Sequence, residues 1–482
     1  MVISFQSYFW EKFKFENRQQ RTFCKKKRYP RMKPKNSELI MKPVTISESY
    51  GRVFFETSKI AMNELGIDIL EEDDNSILVW YDTIKDQDYF SRLMPWQIIN
   101  RIPQINVICR KASFVRCIQR INIFYPDLFK FLPRSFILPL QKNQFAKTLA
   151  RTKKTYIVKP DGGALGSGIV IIPPGTPYTM TSHLAIAQEY IESMLIDGYK
   201  FDLRVYVLVI ASKVPKIYVY RDGIARFCSS PANENTTYSQ LTNTAVNRKN
   251  PLANINTCTK TIKSVFGQLK KHKIDTEKLW NDIDEAIGLT VLSSTGIVNF
   301  GVNCKMVNSG FPRSFQLLGF DVLIDQNLKP WVLEVNFRPS LEYDTEYEKA
   351  LKIKMLKDLM SIAVQPYSEL ESVIRARDKP FTINGFKRYI SKNLSVLKTV
   401  KKRRKEAVQK SDFVKIFPTK DEKRAAEWNE VLKTSEDLPA EIRSDYQLPR
   451  IVEQSRCSLP VRKSEGVLSR LPLLQRNHLY PV

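Results

Sequence analysis

Apolar positions along this chain recur with two periods. Between Lys111 and Ile121, the residues Ala112, Val115, Ile118 and Ile121 fall every third position, the spacing of one helix face. Other apolar runs are short and rich in β-branched and aromatic residues, as strands are: Val53-Phe54-Phe55, Ile77-Leu78-Val79-Trp80, Phe136-Ile137-Leu138 and Tyr156-Ile157-Val158. Between the first two runs, Ile60-Ala61-Met62 through Leu65, closed by Gly66, predicts a short helix with a glycine stop. Strand, helix, strand points to a small α/β unit with a parallel sheet. The span from Ala187 to Asn336 mixes strand-like and helical patterns, and residues 229–262, polar and rich in Asn and Thr, are expected to be loop. Beyond about residue 366 the pattern thins to charges and prolines.

The longest apolar run, Val205 to Ile210, is apolar on both faces, which marks a central strand. It is preceded by Lys200-Phe201-Asp202-Leu203-Arg204, so alternation turns Lys200, Asp202 and Arg204 to one face. Three charged groups there are costly unless that face meets solvent or a site. Ile217 to Tyr220 returns, Arg221-Asp222-Gly223 has the composition of a hairpin turn, and Ile224 to Phe227 continues the meander with Arg226 beside the charged face. Further on, Phe315 to Ile324 and Trp331 to Asn336 flank Asp325-Gln326-Asn327-Leu328, a hairpin that sets Asp321 about opposite Glu334 with Asn336 on the same face. Two carboxylates that close need a cation. An all-oxygen set without histidine or cysteine suits Mg²⁺, which also bridges nucleotide phosphates.

A third element is Lys159-Pro160-Asp161-Gly162-Gly163-Ala164-Leu165-Gly166-Ser167-Gly168, which follows the Tyr156 run. A lysine at a strand end before glycines lets backbone N–H groups and one positive charge meet phosphate, though the spacing is not that of a Walker A loop.

Composition changes the picture mainly through charge. The chain has 482 residues, enough for two to four domains, and carries 76 Lys+Arg against 50 Asp+Glu, a formal net charge of +26. Such a surface seeks polyanions: nucleic acid, anionic membrane or an acidic protein tail. Seven cysteines without a CxxC pair, and only three histidines, disfavour zinc sites and disulfide frameworks. No run of about 18 apolar residues predicts a membrane span. The apolar start, Met1 to Trp10, lacks the basic region and cleavage site of a secretory signal.

These motifs together resemble the tubulin–tyrosine ligase-like family. The resemblance is carried by Cys109-Arg110-Lys111-Ala112-Ser113, Lys159-Pro160, Gln188-Glu189-Tyr190-Ile191, Lys200-Phe201-Asp202-Leu203-Arg204, Leu241-Thr242-Asn243, Leu318-Gly319-Phe320-Asp321 and Trp331-Val332-Leu333-Glu334-Val335-Asn336, in order, over roughly residues 50–365. It implies an α/β (α+β) ATP-grasp fold. The expected organisation is a basic arm over 1–43, a catalytic region over 44–365 in parts 44–105, 106–185 and 186–365, and a basic, partly disordered extension over 366–482.

Carried over by position, the resemblance implies that Lys111 and Lys159 contact ATP phosphates, with Gly166 and Gly168 in the glycine loop. Gln188, Tyr190 and Ile191 would line the adenine pocket, and Lys200, Asp202, Arg204, Arg226 and Asn243 would handle nucleotide, amino acid and reacting carboxylate. Asp321, Glu334 and Asn336 would hold Mg²⁺. Where several family members carry His-Ser-Pro-Ser, this chain reads Phe337-Arg338-Pro339-Ser340, which leaves the added amino acid open.

The activity the resemblance implies is glutamylation of acidic tubulin tails, with free glutamate as the second substrate, in a cytoplasmic and cytoskeletal setting on microtubules, a cilium or basal body included. The basic residues Arg375, Arg377, Lys398 and Lys401 to Lys405 are expected to grip the microtubule. Glycylation and C-terminal tyrosination remain alternatives, as does a non-catalytic microtubule-binding protein. A nucleic-acid binder would account for the charge but not for the ordered motifs, and no membrane partner is expected.

Overall fold

The computed structural model describes residues 43–44, 55–67, 69, 77–81, 89–93, 97–162, 168–179, 182–234, 236–251, 258–306, 311–365 and 398–438. The basic arm before residue 43, Val53-Phe54, Gly166, Arg375 and Arg377 lie outside the described residues.

Three sheets organise the chain. Short parallel strands β1 (Pro43–Val44), β2 (Leu78–Val79) and β3 (Ile98–Ile99) form the first. An antiparallel sheet in the order β4-β7-β5-β6 joins β4 (Ser135–Leu138), β5 (Tyr156–Pro160), β6 (Val170–Ile172) and β7 (Ala185–Glu189). The large sheet contains β8 (Leu195–Ile196), β9 (Tyr199–Ile210), β10 (Lys216–Phe227), β11 (Thr259–Thr261), β12 (Phe315–Ile324), β13 (Pro330–Asn336) and β14 (Phe413–Phe417). Its path is β11-β10-β9-β12-β13, with β14 added to β10 and β8 to β9. The result is the mixed α/β class that the motif pattern predicts.

The two-faced apolar pattern of β9 is explained by its central place. Phe201, Leu203, Val205 and Val207 face one core with the helices Lys111–Asn122 and Thr276–Ser293. Tyr206, Leu208 and Ile210 face another, shared with the helices Glu56–Glu64 and Glu346–Ala363 and with β2 and β3. The small N-terminal unit therefore shares a core with the large sheet. Phe55 is not in a strand: it precedes the helix Glu56–Glu64 as its N-cap residue.

Arg221-Asp222-Gly223 is not a turn. It lies inside β10, where the pairing with β9 shifts register between Val219 and Gly223. The Asp222 carboxylate accepts from the N–H of Gly223 at 2.9 Å and of Lys263 at 3.0 Å, so turn-forming chemistry is used on a bulge and on the following helix. A Cβ at position 223 would stand 2.3 Å from the Arg204 carbonyl oxygen, so glycine is required there. Nor is the 229–262 stretch all loop: it contains the short helices Thr237–Gln240 and Thr244–Asn247 and strand β11.

Residues 398–438, assigned by sequence to the extension, fold onto the large sheet. β14 pairs with β10 through Tyr218↔Lys415, Val219↔Val414 and Tyr220↔Phe413. The helix Glu422–Asp437, capped by Asp421 accepting from the Arg424 N–H, buries Trp428, Val431 and Leu432 in the main core. Trp428 fits only because residue 288 is glycine, since a Cβ there would lie 2.2 Å from the indole. In the basic run, Arg403 and Arg404 turn inward to the carbonyls of Ser361 and Ile362, at the C-terminal end of Glu346–Ala363, where cations are favoured. Lys398, Lys401, Lys402 and Lys405 remain exposed. Among the described residues no single helix is long and apolar enough to cross a membrane.

Candidate active site

A cleft of about 1410 Å³, counted with its open mouth, is walled by the β4–β7 sheet on one side and by β9, β10, β12 and β13 on the other. Twelve of the fifteen residues singled out by sequence line it, a convergence that motif spacing alone does not guarantee: Lys111, Lys159, Gln188, Tyr190, Ile191, Lys200, Asp202, Arg226, Asn243, Asp321, Glu334 and Asn336. Arg204 does not line the cleft and lies behind Asp321, while Gly168 packs over Pro160.

The charged floor follows from strand register. Asp202 pairs with Arg226 across β9 and β10, Arg204 with Asp321 across β9 and β12, and Asp321 with Glu334 across β12 and β13. Arg204 Nε donates to Asp321 Oδ1 at 2.5 Å, and Arg226 Nη2 reaches Asp321 Oδ2 at 2.8 Å. Arg226 also forks onto both oxygens of Asp202, at 2.7 and 2.6 Å. Burial alone would raise the Asp321 carboxyl, but the two guanidinium groups outweigh it and hold it well below the usual carboxylate range. Glu334 has the opposite environment: burial, then the Asp321 charge, push its carboxyl up against the pull of Lys111 and Lys159. Lys111 Nζ stands 3.9 Å from Glu334 Oε2, and Asn336 Nδ2 is 3.5 Å from Glu334 Oε1.

On the facing wall, Lys159 is buried at the end of β5 and donates to Gln188 Oε1 at 3.0 Å, so that amide is already engaged. Burial pushes the Lys159 ammonium down, opposed chiefly by Glu334 and assisted by Lys111. Lys200 donates to the Tyr190 hydroxyl at 2.7 Å, and burial lowers it to about 8. Phe337 completes one end, with the Arg101 guanidinium 5.3 Å from its ring centre; Arg338 is exposed.

Several positioning groups escaped the sequence reading. Thr242 Oγ1 donates to Asp202 Oδ2 at 2.6 Å. Asn247, fully buried, accepts from the N–H and hydroxyl of Ser229 and donates to the carbonyls of Leu241 and Asn243, which ties the 241–243 segment to the end of β10. Asp161 receives Arg110 and the Ala112 N–H. Thr242 and Asp161 sit inside quoted motifs, next to Asn243 and Pro160, and that adjacency was the available signal.

The donor set fits a hard divalent cation. Asp321 and Glu334 are paired across β12 and β13 and the Asn336 amide stands beside Glu334, so two carboxylates and an amide, with no histidine or cysteine, come together as a hard cation requires. No group of three or more His, Cys, Asp or Glu converges among the described residues.

A sequence model of the tubulin-tyrosine ligase family matches residues 90–372. Tubulin polyglutamylase ttll6 of Danio rerio is 35% identical over 321 residues, covering 64% of this chain and 41% of that protein. Human tubulin polyglutamylase TTLL7 is 33% identical over 341 residues, 66% of this chain and 38% of the relative. A probable beta-tubulin polyglutamylase of Tetrahymena thermophila is 29% identical over 399 residues, 77% of this chain and 33% of the relative. The chain thus spans about two fifths or less of the length of the curated relatives it matches. The family match takes in every residue of the cleft and more than half of the sequence: the chain belongs to the tubulin-tyrosine ligase family.

Proposed function

We propose that this chain is an ATP-dependent tubulin polyglutamylase, joining the amine of glutamate to a side-chain carboxylate of an acidic tubulin tail. The observation that carries the reading is the meeting of Lys111 and Lys159 with Glu334, beside Asp321 and Arg226, in one cleft. Lysines at that point are suited to phosphate oxygens, and Tyr190 and Ile191 to the adenine ring.

A carboxylate is a poor electrophile. In the proposed reaction an acceptor carboxylate oxygen attacks the γ-phosphorus of ATP, ADP leaves, and an acyl phosphate forms on the tail. The glutamate amine then attacks the acyl carbon, inorganic phosphate departs, and an isopeptide bond remains. Lys111, Lys159 and Lys200 neutralise the charge gathered by the phosphoryl oxygens. Arg226, fixed by Asp202, and Asn243 line the part of the cleft where acceptor and amino acid would be oriented. Asp321, Glu334 and Asn336 would hold Mg²⁺, which supplies charge neutralisation between phosphate groups when bound.

The exposed lysines 398, 401, 402 and 405 suit an acidic tail or microtubule surface, which supports a cytoskeletal setting for the proposed work. The reading is tested by incubating the chain with microtubules, ATP and, separately, radiolabelled glutamate, glycine and tyrosine. Incorporation of glutamate alone is expected; label from glycine or tyrosine, or none, overturns it.

A further inference from the structure

The helix Lys111–Asn122 begins without a side-chain cap from its own N-cap residue, Arg110. The first N–H groups of a helix need partners. Here one comes from a distant strand end: the Ala112 N–H donates to Asp161 Oδ1 at 2.8 Å. Arg110 Nε and Nη2 both donate to Asp161 Oδ2, at 2.9 and 2.6 Å. Asp161 is in turn anchored through its own N–H to the Leu184 carbonyl at 3.0 Å.

One carboxylate therefore joins the two elements that each supply a cleft lysine. Lys111 stands between Arg110 and Ala112, both held by Asp161; Lys159 lies two residues before Asp161 on β5. The lysines carry like charge and feel one another, so nothing in their own interaction keeps them together. We infer that Arg110 and Asp161 form a positioning pair that fixes Lys111 relative to Lys159 and so sets the affinity for the nucleotide's phosphates rather than the chemical step. The inference rests on the nucleotide reading of the cleft.

A purely structural role predicts a different outcome. The Arg110 side chain is 30% exposed but that of Asp161 only 3%, so leaving the buried carboxylate unpaired also destabilises the chain. The helix itself is anchored by the buried Phe114, Val115, Cys117, Ile118 and Ile121. Melting is therefore measured beside binding: a merely structural pair would leave the affinity of the still-folded variants at the wild-type value, whereas a positioning pair weakens phosphate binding in chains that remain folded.

The test is equilibrium titration of a fluorescent ATP analogue into the wild-type chain, the single variants Asp161→Asn, Arg110→Gln and Arg110→Lys, and the double variant that combines Asp161→Asn with Arg110→Gln. Each of Asp161→Asn and Arg110→Gln is expected to raise the dissociation constant about tenfold, the scale of losing one charge-assisted contact to phosphate. The double variant should be no worse than the poorer single one, because both substitutions remove the same clamp. Arg110→Lys, which keeps charge but loses the fork, should fall between Arg110→Gln and wild type. Unchanged affinity in Arg110→Gln, or multiplying effects in the double variant, overturns the inference. If Asp161→Asn does not fold, Arg110→Gln and Arg110→Lys decide it alone. A wild-type chain that binds no nucleotide refutes the proposed function instead.

Discussion

Asp321 and Glu334 face each other across β12 and β13, yet their surroundings differ in sign. Asp321 is satisfied by Arg204 and Arg226, whereas Glu334 meets a like charge on one side and Lys111 only at 3.9 Å. Asp321 is thus held in place by its two arginines, and in the proposed function Glu334 is the carboxylate of the pair whose charge the bound substrate and cation would meet.

Replacing each in turn should separate these roles. Glu334→Gln is expected to reduce ligation by at least about 100-fold, the scale of losing one electrostatic contact to a transition state, while melting stays the same or rises. Asp321→Asn leaves Arg204 and Arg226 buried beside a neutral group and should destabilise the chain by about 3–5 kcal/mol. Melting curves and initial rates on both variants check this; equal effects on stability would remove the distinction.

Lys200 gives the site a pH dependence. Its ammonium is lowered to about 8 by burial, against an ordinary 10.5. If that charge binds an anionic substrate, kcat/KM should fall as pH rises through about 8, because this ratio reports the free enzyme. Stability runs the other way. Between 8 and 10.5 the unfolded chain keeps the Lys200 proton that the folded chain has released, so this group makes stability increase with pH there. A Lys200→Arg variant, charged throughout, should lose the alkaline limb of kcat/KM; a limb that persists in it assigns the titration to another group.

What could be read from the chain, and what could not, divides by distance along it. The β12–β13 hairpin was legible because its apolar runs and turn lie within about twenty residues, so alternation alone sets Asp321, Glu334 and Asn336 on one face. The Arg110–Asp161 clamp bridges 51 positions and leaves no periodic trace. Arg221-Asp222-Gly223 misled because its turn chemistry is used on a bulge against Arg204 and on the N–H of Lys263. The fold of residues 398–438 was hidden for the same reason. β14 has five residues, and the place of Trp428 is set by Gly288, far upstream.

Asn247 tests whether the 241–243 segment matters through Asp202. Asn247→Ala leaves the Ser229 N–H and the half-buried Leu241 carbonyl to find other partners, at a cost of about 1–3 kcal/mol. Thr242→Val keeps the shape and removes only the hydrogen bond to Asp202. Both should lower kcat, and only Asn247→Ala should lower the urea midpoint. A Thr242→Val chain with wild-type kcat would show that Asp202 needs no help beyond Arg226.

The last prediction separates a structural from a binding role in the C-terminal part. Truncation after residue 370 removes β14 and the helix that buries Trp428, Val431 and Leu432, exposing the core around Gly288 and one side of β10. Loss of Trp428 alone should cost about 3–5 kcal/mol, so the truncated chain is expected to be unfolded or insoluble and unable to report on microtubule binding. Lys401→Ala, Lys402→Ala and Lys405→Ala together act on exposed side chains and spare Arg403 and Arg404, which hold the end of Glu346–Ala363. That triple variant should melt like wild type, bind microtubules more weakly in co-sedimentation, and lose part of its salt dependence. A soluble, active truncated chain would make residues 398–438 an accessory, and unchanged binding in the triple variant would move the acidic partner's contact to another surface.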